Sequence, residues 1–360
     1  MHPRIPRRSV LFLILGIALL VGPLASVGWG ETTAEVVAKL RKMSQKDRQA
    51  FLEAGAKKEG TLVLYGTTSV DHQTKISAAF RRRYPFLETK HYRAGSTALL
   101  RKILTEAKAG RYEPDVINIP PGHAYEVNRA GLLESYLSPN RKALRGGMSD
   151  KQGFYTAWQH IIVLITYNTE LVRKEEAPKT YEDLLHPKWK GKIHLDTQDA
   201  DWFHTLLEYW GEEKGLSYMK KLAANDVQMR TGHTLGTQLL AVGEFHISLV
   251  LYDHRVQEMM TKGAPLDFVL IDPVISKPRG LALAKHGSHP HAAILYLDWI
   301  ISEEAQRIVG QKIGRNPVRK GMKSKYGRSD HPRYVTVDGE TLGPVFKKRL
   351  EQYAEIFKFR

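Results

Sequence analysis

The chain contains no cysteine. That absence removes disulfides, thiolate metal sites, a cysteine nucleophile and a lipid-modified N-terminus together. Acidic residues are scarce beside basic ones, 38 against 54, for a formal net charge of +16 over 360 residues. The spacings that announce catalysis on their own are also missing: there is no HExxH, Walker A loop, GxGxxG or GxSxG elbow. No internal repeat or low-complexity stretch occurs either. A secreted hydrolase stays as the rival class, but no catalysis is expected.

Hydrophobic residues make up 42% and charged residues 26%. These proportions suit a soluble protein with a real core, and the length suits two domains. The start reads differently. Arg4, Arg7 and Arg8 precede an apolar run from Val10 to Val21, and Gly22-Pro23 breaks it before Ser26 and Gly28. This is the pattern of a signal peptide over residues 1–28, too short in its apolar core for a confident membrane span. Export to a bacterial periplasm is expected. Removing three arginines leaves a charge of +13, and +7 of it comes from residues 315–360, with twelve Lys/Arg against five Asp/Glu. No nucleic-acid motif accompanies that excess, so a solvated face or an acidic partner surface is expected, with no nucleic acid as partner.

Residues 31–58 read as a leading helix packed outside the main sheet. From Gly60 the pattern is strand, helix, strand, helix, each helix opening on a glycine followed by hydroxyl residues: Gly66-Thr67-Thr68-Ser69, then Gly95-Ser96-Thr97. Such turns sit at the carboxyl ends of strands, where open α/β sheets bind ligands. First-turn N–H groups and the helix dipole favour an anion there. Ser69 and Ser96 could equally be ordinary N-caps. Asp115 to Ile119 is a third strand. A strong run from Trp158 to Tyr167 follows a looser stretch, as a crossing into a second lobe would. Further alternation ends at Thr231-Gly232-His233 and at Tyr252-Asp253-His254-Arg255. Asp272-Pro273 and Pro278 mark the return, a strand follows at Leu281 to Ala284, and a last helix spans about Gly343 to Phe357. The expected architecture is α/β: two lobes, each a mixed, mainly parallel sheet flanked by helices, closing on a small molecule. Residues 59–157 plus 275–360 form the first lobe and 158–274 the second.

Several pieces occur in a familiar order: the strand with Gly66-Thr67-Thr68; Ala94-Gly95-Ser96-Thr97 with Glu106; Asp115-Val116; Tyr167-Asn168-Thr169; Pro178 to Leu184 with Pro187-Lys188-Trp189-Lys190-Gly191; Gly243-Glu244; and His289 to Ala293 with Asp298-Trp299. From about Glu59 to Gly321 the chain thereby resembles the extracellular solute-binding proteins of ABC importers, in the branch that includes ferric-ion-binding proteins. The resemblance implies a type II periplasmic-binding-protein fold, a ligand in the interlobe cleft and delivery to an inner-membrane permease, with a monomer expected. Ferric binders of that branch place paired tyrosines where this chain has Tyr252-Asp253, followed by His254. Their first-lobe histidine falls near Thr68 or Ser69, with His72 displaced from it. Fe3+ held by Tyr252, Asp253, His254 and His72 is therefore the alternative cargo. The family's anion turn corresponds to Asp199-Ala200-Asp201-Trp202, whose carboxylates would repel an anion and could attract a ligand amino group.

The favoured cargo is a small organic anion or zwitterion, with no cofactor. Thr67, Thr68, Ser69, Gly95, Ser96 and Thr97 hold its anionic end, while Thr231, Gly232, His233 and Tyr252 close over it. Asp201 takes a cationic end. Tyr252 and Trp202 are flat walls, although Tyr252 could be a packed interlobe residue and Trp158 and Trp202 could be core. His286, His289 and His291 suggest a metal site at first glance, but Pro290 among them fits a helix cap better.

Overall fold

The computed structural model describes residues 30–326 and 334–359. The expected signal peptide and part of the basic tail lie outside the described residues. The leading segment forms two helices, α1 (Thr33–Leu40) and α2 (Gln45–Glu59). Thr32 and Glu35 make a reciprocal capping box for α1, and Ser44 accepts the Asp47 N–H to open α2. The second cap divides a stretch whose periodicity alone looks continuous.

The chain then alternates through β1 (Thr61–Gly66), α3 (Val70–Arg83), β2 (Glu88–Arg93), α4 (Ser96–Lys108), β3 (Val116–Ile119) and α5 (Pro121–Arg129), with a short β4 (Leu133–Glu134). β1 pairs in parallel with β2 and β3, so Gly66, Arg93 and Ile119 end at one edge. The long β5 (Thr156–Asn168) leads to β6 (Ile193–Asp196), α6 (Ala200–Trp210), α7 (Glu212–Ala223), β7 (Gln228–Arg230), α8 (His233–Ala241), β8 (Ile247–Tyr252), α9 (Asp253–Thr261) and β9 (Leu266–Val269). Here β6, β7 and β8 are parallel, and Asp196, Arg230 and Tyr252 end together. β10 (Val274–Ala284) returns, followed by α10 (Pro290–Ile300), α11 (Glu303–Arg307), β11 (Asn316–Pro317), β12 (Tyr334–Thr336) and α12 (Gly339–Phe357).

Two strands join the halves. β10 pairs antiparallel with β3 on one side and with the first half of β5 on the other, and β5 continues into the second sheet against β8 and β9. The result is two α/β lobes joined by two crossing strands. The return strand is longer than its apolar stretch implies: it starts at Val274 and passes through Pro278, which lies opposite His160. One core gathers Leu62, Leu64, Phe80, Val116, Ile117 and Trp299, and a second gathers Trp202, Phe203, Leu206, Ile247 and Leu249.

The packing of α12 differs from the expectation that residues after 275 all belong with the first lobe. Leu342, Phe346, Tyr353 and Phe357 bury in the second core, and the helix also rests on α5. No described helix is long and apolar enough to cross a membrane.

Four buried histidines make the fold acid-sensitive. Burial is the main cause that pushes His123, His160 and His254 down to about 4 and His194 to about 3, from 6.5. Between those values the unfolded chain binds protons that the folded chain refuses. Stability is therefore complete above about pH 6.5 and declines as pH falls toward 4. Thermal unfolding followed from pH 7.5 to 4.5 should show a falling midpoint; a flat midpoint would contradict the assignment.

Candidate functional site

The carboxyl ends of both parallel sets face one cavity of about 630 Å³. Thr67, Thr68, Ser69, Gly95 and Ser96 line it from the first lobe, and Asp201, Thr231, Gly232, His233, Tyr252 and His254 from the second. Ten of the twelve expected contact residues thus meet at one place. The other two do not. Trp202 is fully buried among Phe203, Leu206 and Leu207 in the second core, so it is packing and no ligand wall. Thr97 is exposed outside the cavity lining.

The turns are built differently from ordinary caps. Ser69 precedes α3 without a side-chain cap bond, and Gly95, not Ser96, is the residue ahead of α4. The Ser96 N–H, expected to be bare, donates to Gln198 Oε1 across the cleft at 3.2 Å. Thr68 Oγ1 accepts from Asn118 Nδ2 at 2.7 Å, which fixes the first turn against β3.

Charge sets the rest of the site. Lys277 and Arg279 are two apart on β10 and so share a face. The Lys277 ammonium bridges Asp199 and Asp201, reaching Asp201 Oδ1 at 2.6 Å. Burial opposes each charge here, yet the carboxylates beside Lys277 hold it above its usual range. Lys277 and His233 in turn hold Asp199 well below the usual carboxylate range. Arg279 Nη2 donates to the Tyr252 hydroxyl at 2.7 Å, and its Nη1 lies 3.7 Å from Asp201. His233 Nε2 meets Asp199 at 3.0 Å, and its ring stacks on Tyr252 with centroids 3.9 Å apart. Asp196 accepts the backbone N–H of Gln198 at 2.9 Å and that of Gly232 at 2.6 Å, tying two second-lobe turns together.

This network corrects the expectation for the Asp199–Asp201 turn. Its carboxylates are satisfied by Lys277, Arg279 and His233, so neither the expected repulsion of an anion nor the capture of a ligand amino group by Asp201 remains. Arginines that sequence reasoning missed line the cavity instead: Arg93, Arg255, Arg279 and Arg315. Arg315 is buried. Its Nε donates to His72 Nδ1 at 2.9 Å and its Nη1 to Gln159 Oε1 at 2.8 Å, both neutral acceptors. Burial, with Arg255 nearby, pulls it down to about 10. No local signal marked Lys277 and Arg279, because Pro278 between them reads as a break, whereas the strand runs from Val274 through both.

The four ferric alternatives do not converge. Tyr252 is bonded to Arg279, and burial pushes its phenol up to about 12. Asp253 accepts from Asn316 Nδ2 at 2.7 Å, while His72 and Asp253 are not among the cavity-lining residues. Among the described residues, the group with metal-like spacing is Asp196, Asp199 and His233, already engaged by Lys277 and the Gly232 N–H. The other histidine cluster disperses. His289 Nδ1 bonds Asp115, His291 Nδ1 bonds Glu59 and His286 lies against Tyr112.

Lys277 is the residue these contacts depend on. Lys277→Met should cost about 3–5 kcal/mol by leaving two carboxylates buried without their cation. Adding Asp199→Asn should recover part of that loss in denaturant unfolding. Full stability of the single variant would remove the network from the account.

Comparison with known proteins agrees with this geometry. A family model described as bacterial extracellular solute-binding protein matches residues 75–332. An uncharacterised protein of Haemophilus influenzae is 28% identical over 295 residues, covering 75% of this chain and 83% of that protein. The periplasmic binding protein AfuA of Actinobacillus pleuropneumoniae, solved with exogenous fructose-6-phosphate bound, superposes with a TM-score of 0.74 at 22% identity, covering 84% of this chain and 99% of that one. Iron-bound HitA of Pseudomonas aeruginosa gives 0.70 at 18% identity, covering 82% and 99%. The fold is that of the type II periplasmic binding proteins, and the chain belongs to the bacterial extracellular solute-binding proteins.

Proposed function

We propose that this protein captures a small organic anion in the interlobe cavity and passes it, chemically unaltered, to an inner-membrane ABC permease from the periplasm. The single observation that carries the reading is Arg315, a buried guanidinium on the cavity wall whose described side-chain bonds go to neutral groups. A buried cation is costly until an anion answers it, and a carboxylate or phosphate can accept from guanidinium in a charge-assisted bond. Arg279, Arg93 and Arg255, the last also paired with Glu258 at 2.7 Å, outnumber the lining carboxylate of Asp71 and add to the positive field. The hydroxyls of Thr67, Thr68, Ser69 and Thr231 supply donors for the remaining oxygens. The bound hexose phosphate in the Actinobacillus structure supports an organic anion as cargo.

The lobes are proposed to hinge at β5 and β10, with residues 59–157 on one side and 158–274 on the other. Closure brings His233 and Tyr252 over the solute. The iron-bound Pseudomonas relative keeps Fe3+ as the alternative cargo, but a phenol held protonated and bonded to Arg279 suits a hard trivalent cation poorly.

Titration calorimetry against carboxylates, sugar phosphates and ferric citrate separates the two. Saturable binding of an organic anion is expected, weakened about 10- to 100-fold by Arg315→Gln for the loss of a charge-assisted bond. Binding of iron with a tyrosinate charge-transfer colour, and of no organic anion, would overturn the proposal.

A further inference from the structure

α12 begins after residue 332, where the family match ends, yet Phe346 lines the cavity beside Gly122 and His123 of α5. The Phe346 and His123 rings lie with centroids 4.6 Å apart. A Cβ on Gly122 would come within 2.5 Å of Phe346, so only a glycine lets the ring settle there. Fully buried Leu342 stands one turn earlier on the same helix.

The other side of α12 is anchored to the second lobe. Tyr353 donates to the Asp196 carbonyl at 2.9 Å, and Arg349 grips Glu212 through both terminal nitrogens at 3.0 and 2.9 Å. Phe346 is therefore fixed relative to the turn that carries Asp201. His123 is held neutral by burial, with Asp201, Arg279 and Lys277 the charges that act on it. An uncharged aromatic wall thus stands within electrostatic reach of Arg279.

We infer that Phe346, with His123, is a specificity-determining wall against which the uncharged body of the ligand rests. The inference deepens the reading above and depends on it: the cavity takes an anion carrying a ring or carbon chain in preference to an inorganic oxyanion. Apolar contact rewards carbon that desolvates against it, and gives a bare oxyanion nothing.

The test is calorimetric titration of the full chain with orthophosphate, phenyl phosphate and a hexose 6-phosphate. The wild type should bind both organic phosphates more tightly than orthophosphate. Phe346→Ala should weaken the organic phosphates about tenfold while changing orthophosphate little, and Phe346→Leu should recover part of the loss. Gly122→Ala, which displaces the ring without deleting it, should act in the same direction and guards against an unfolded Phe346→Ala. An unchanged ratio of organic to inorganic affinity in folded variants that still bind would overturn the wall and leave the anion site standing. A wild type that binds none of the three anions would overturn both.

Discussion

A buried ammonium shared by two carboxylates holds this molecule's centre. Lys277 projects from a strand common to both sheets and reaches the first turn of α6, where Asp199 and Asp201 wait. In a low-dielectric interior those three charges are tolerable only together. The arrangement locks the turn after β6 against β10. From that point His233 is placed by Asp199, Tyr252 by the His233 ring, and Arg279 by the Tyr252 hydroxyl. The cavity wall follows from one satisfied hub.

That hub also explains why the Asp199–Asp201 turn reads as repelling an anion from sequence and does not do so in the structure. Asp199 and Asp201 look like unanswered negative charges when met along the chain. Folded, they are answered by Lys277, far away along the chain, and the cavity lining then holds four arginines against the single further carboxylate of Asp71. The arginines sit at different depths: Arg93 is exposed, Arg255 half-buried, and Arg279 and Arg315 buried. An incoming anion would meet a field before it meets a bond.

The turns after β1 and β2 were legible because a short apolar run followed by glycine and hydroxyl residues has a local cause. The strand ends of the second lobe were legible for the same reason, and Thr231, His233 and Tyr252 line the cavity. What could not be read is long-range. Pro278 looks like a break, yet it sits inside β10 opposite His160 and carries Lys277 and Arg279 into the core on either side. Trp202 is fully buried in the second core, a place that its flat ring does not announce. Arg315 follows a glycine in a loop, and nothing nearby in sequence predicts that His72 and Gln159 receive it. The final helix was recognisable as a helix, but its seat across both lobes depends on Gly122 and Gly343, whose missing side chains admit Phe346 and Tyr125.

The central claim is that the cleft holds positive charge that its own side chains leave for a guest. Anomalous diffraction from crystals soaked briefly in bromide tests it without knowledge of the ligand. The account predicts an ordered bromide inside the cavity against the Arg315 guanidinium. Halide confined to the outer surface, with the cavity taking up a soaked metal cation instead, would contradict it.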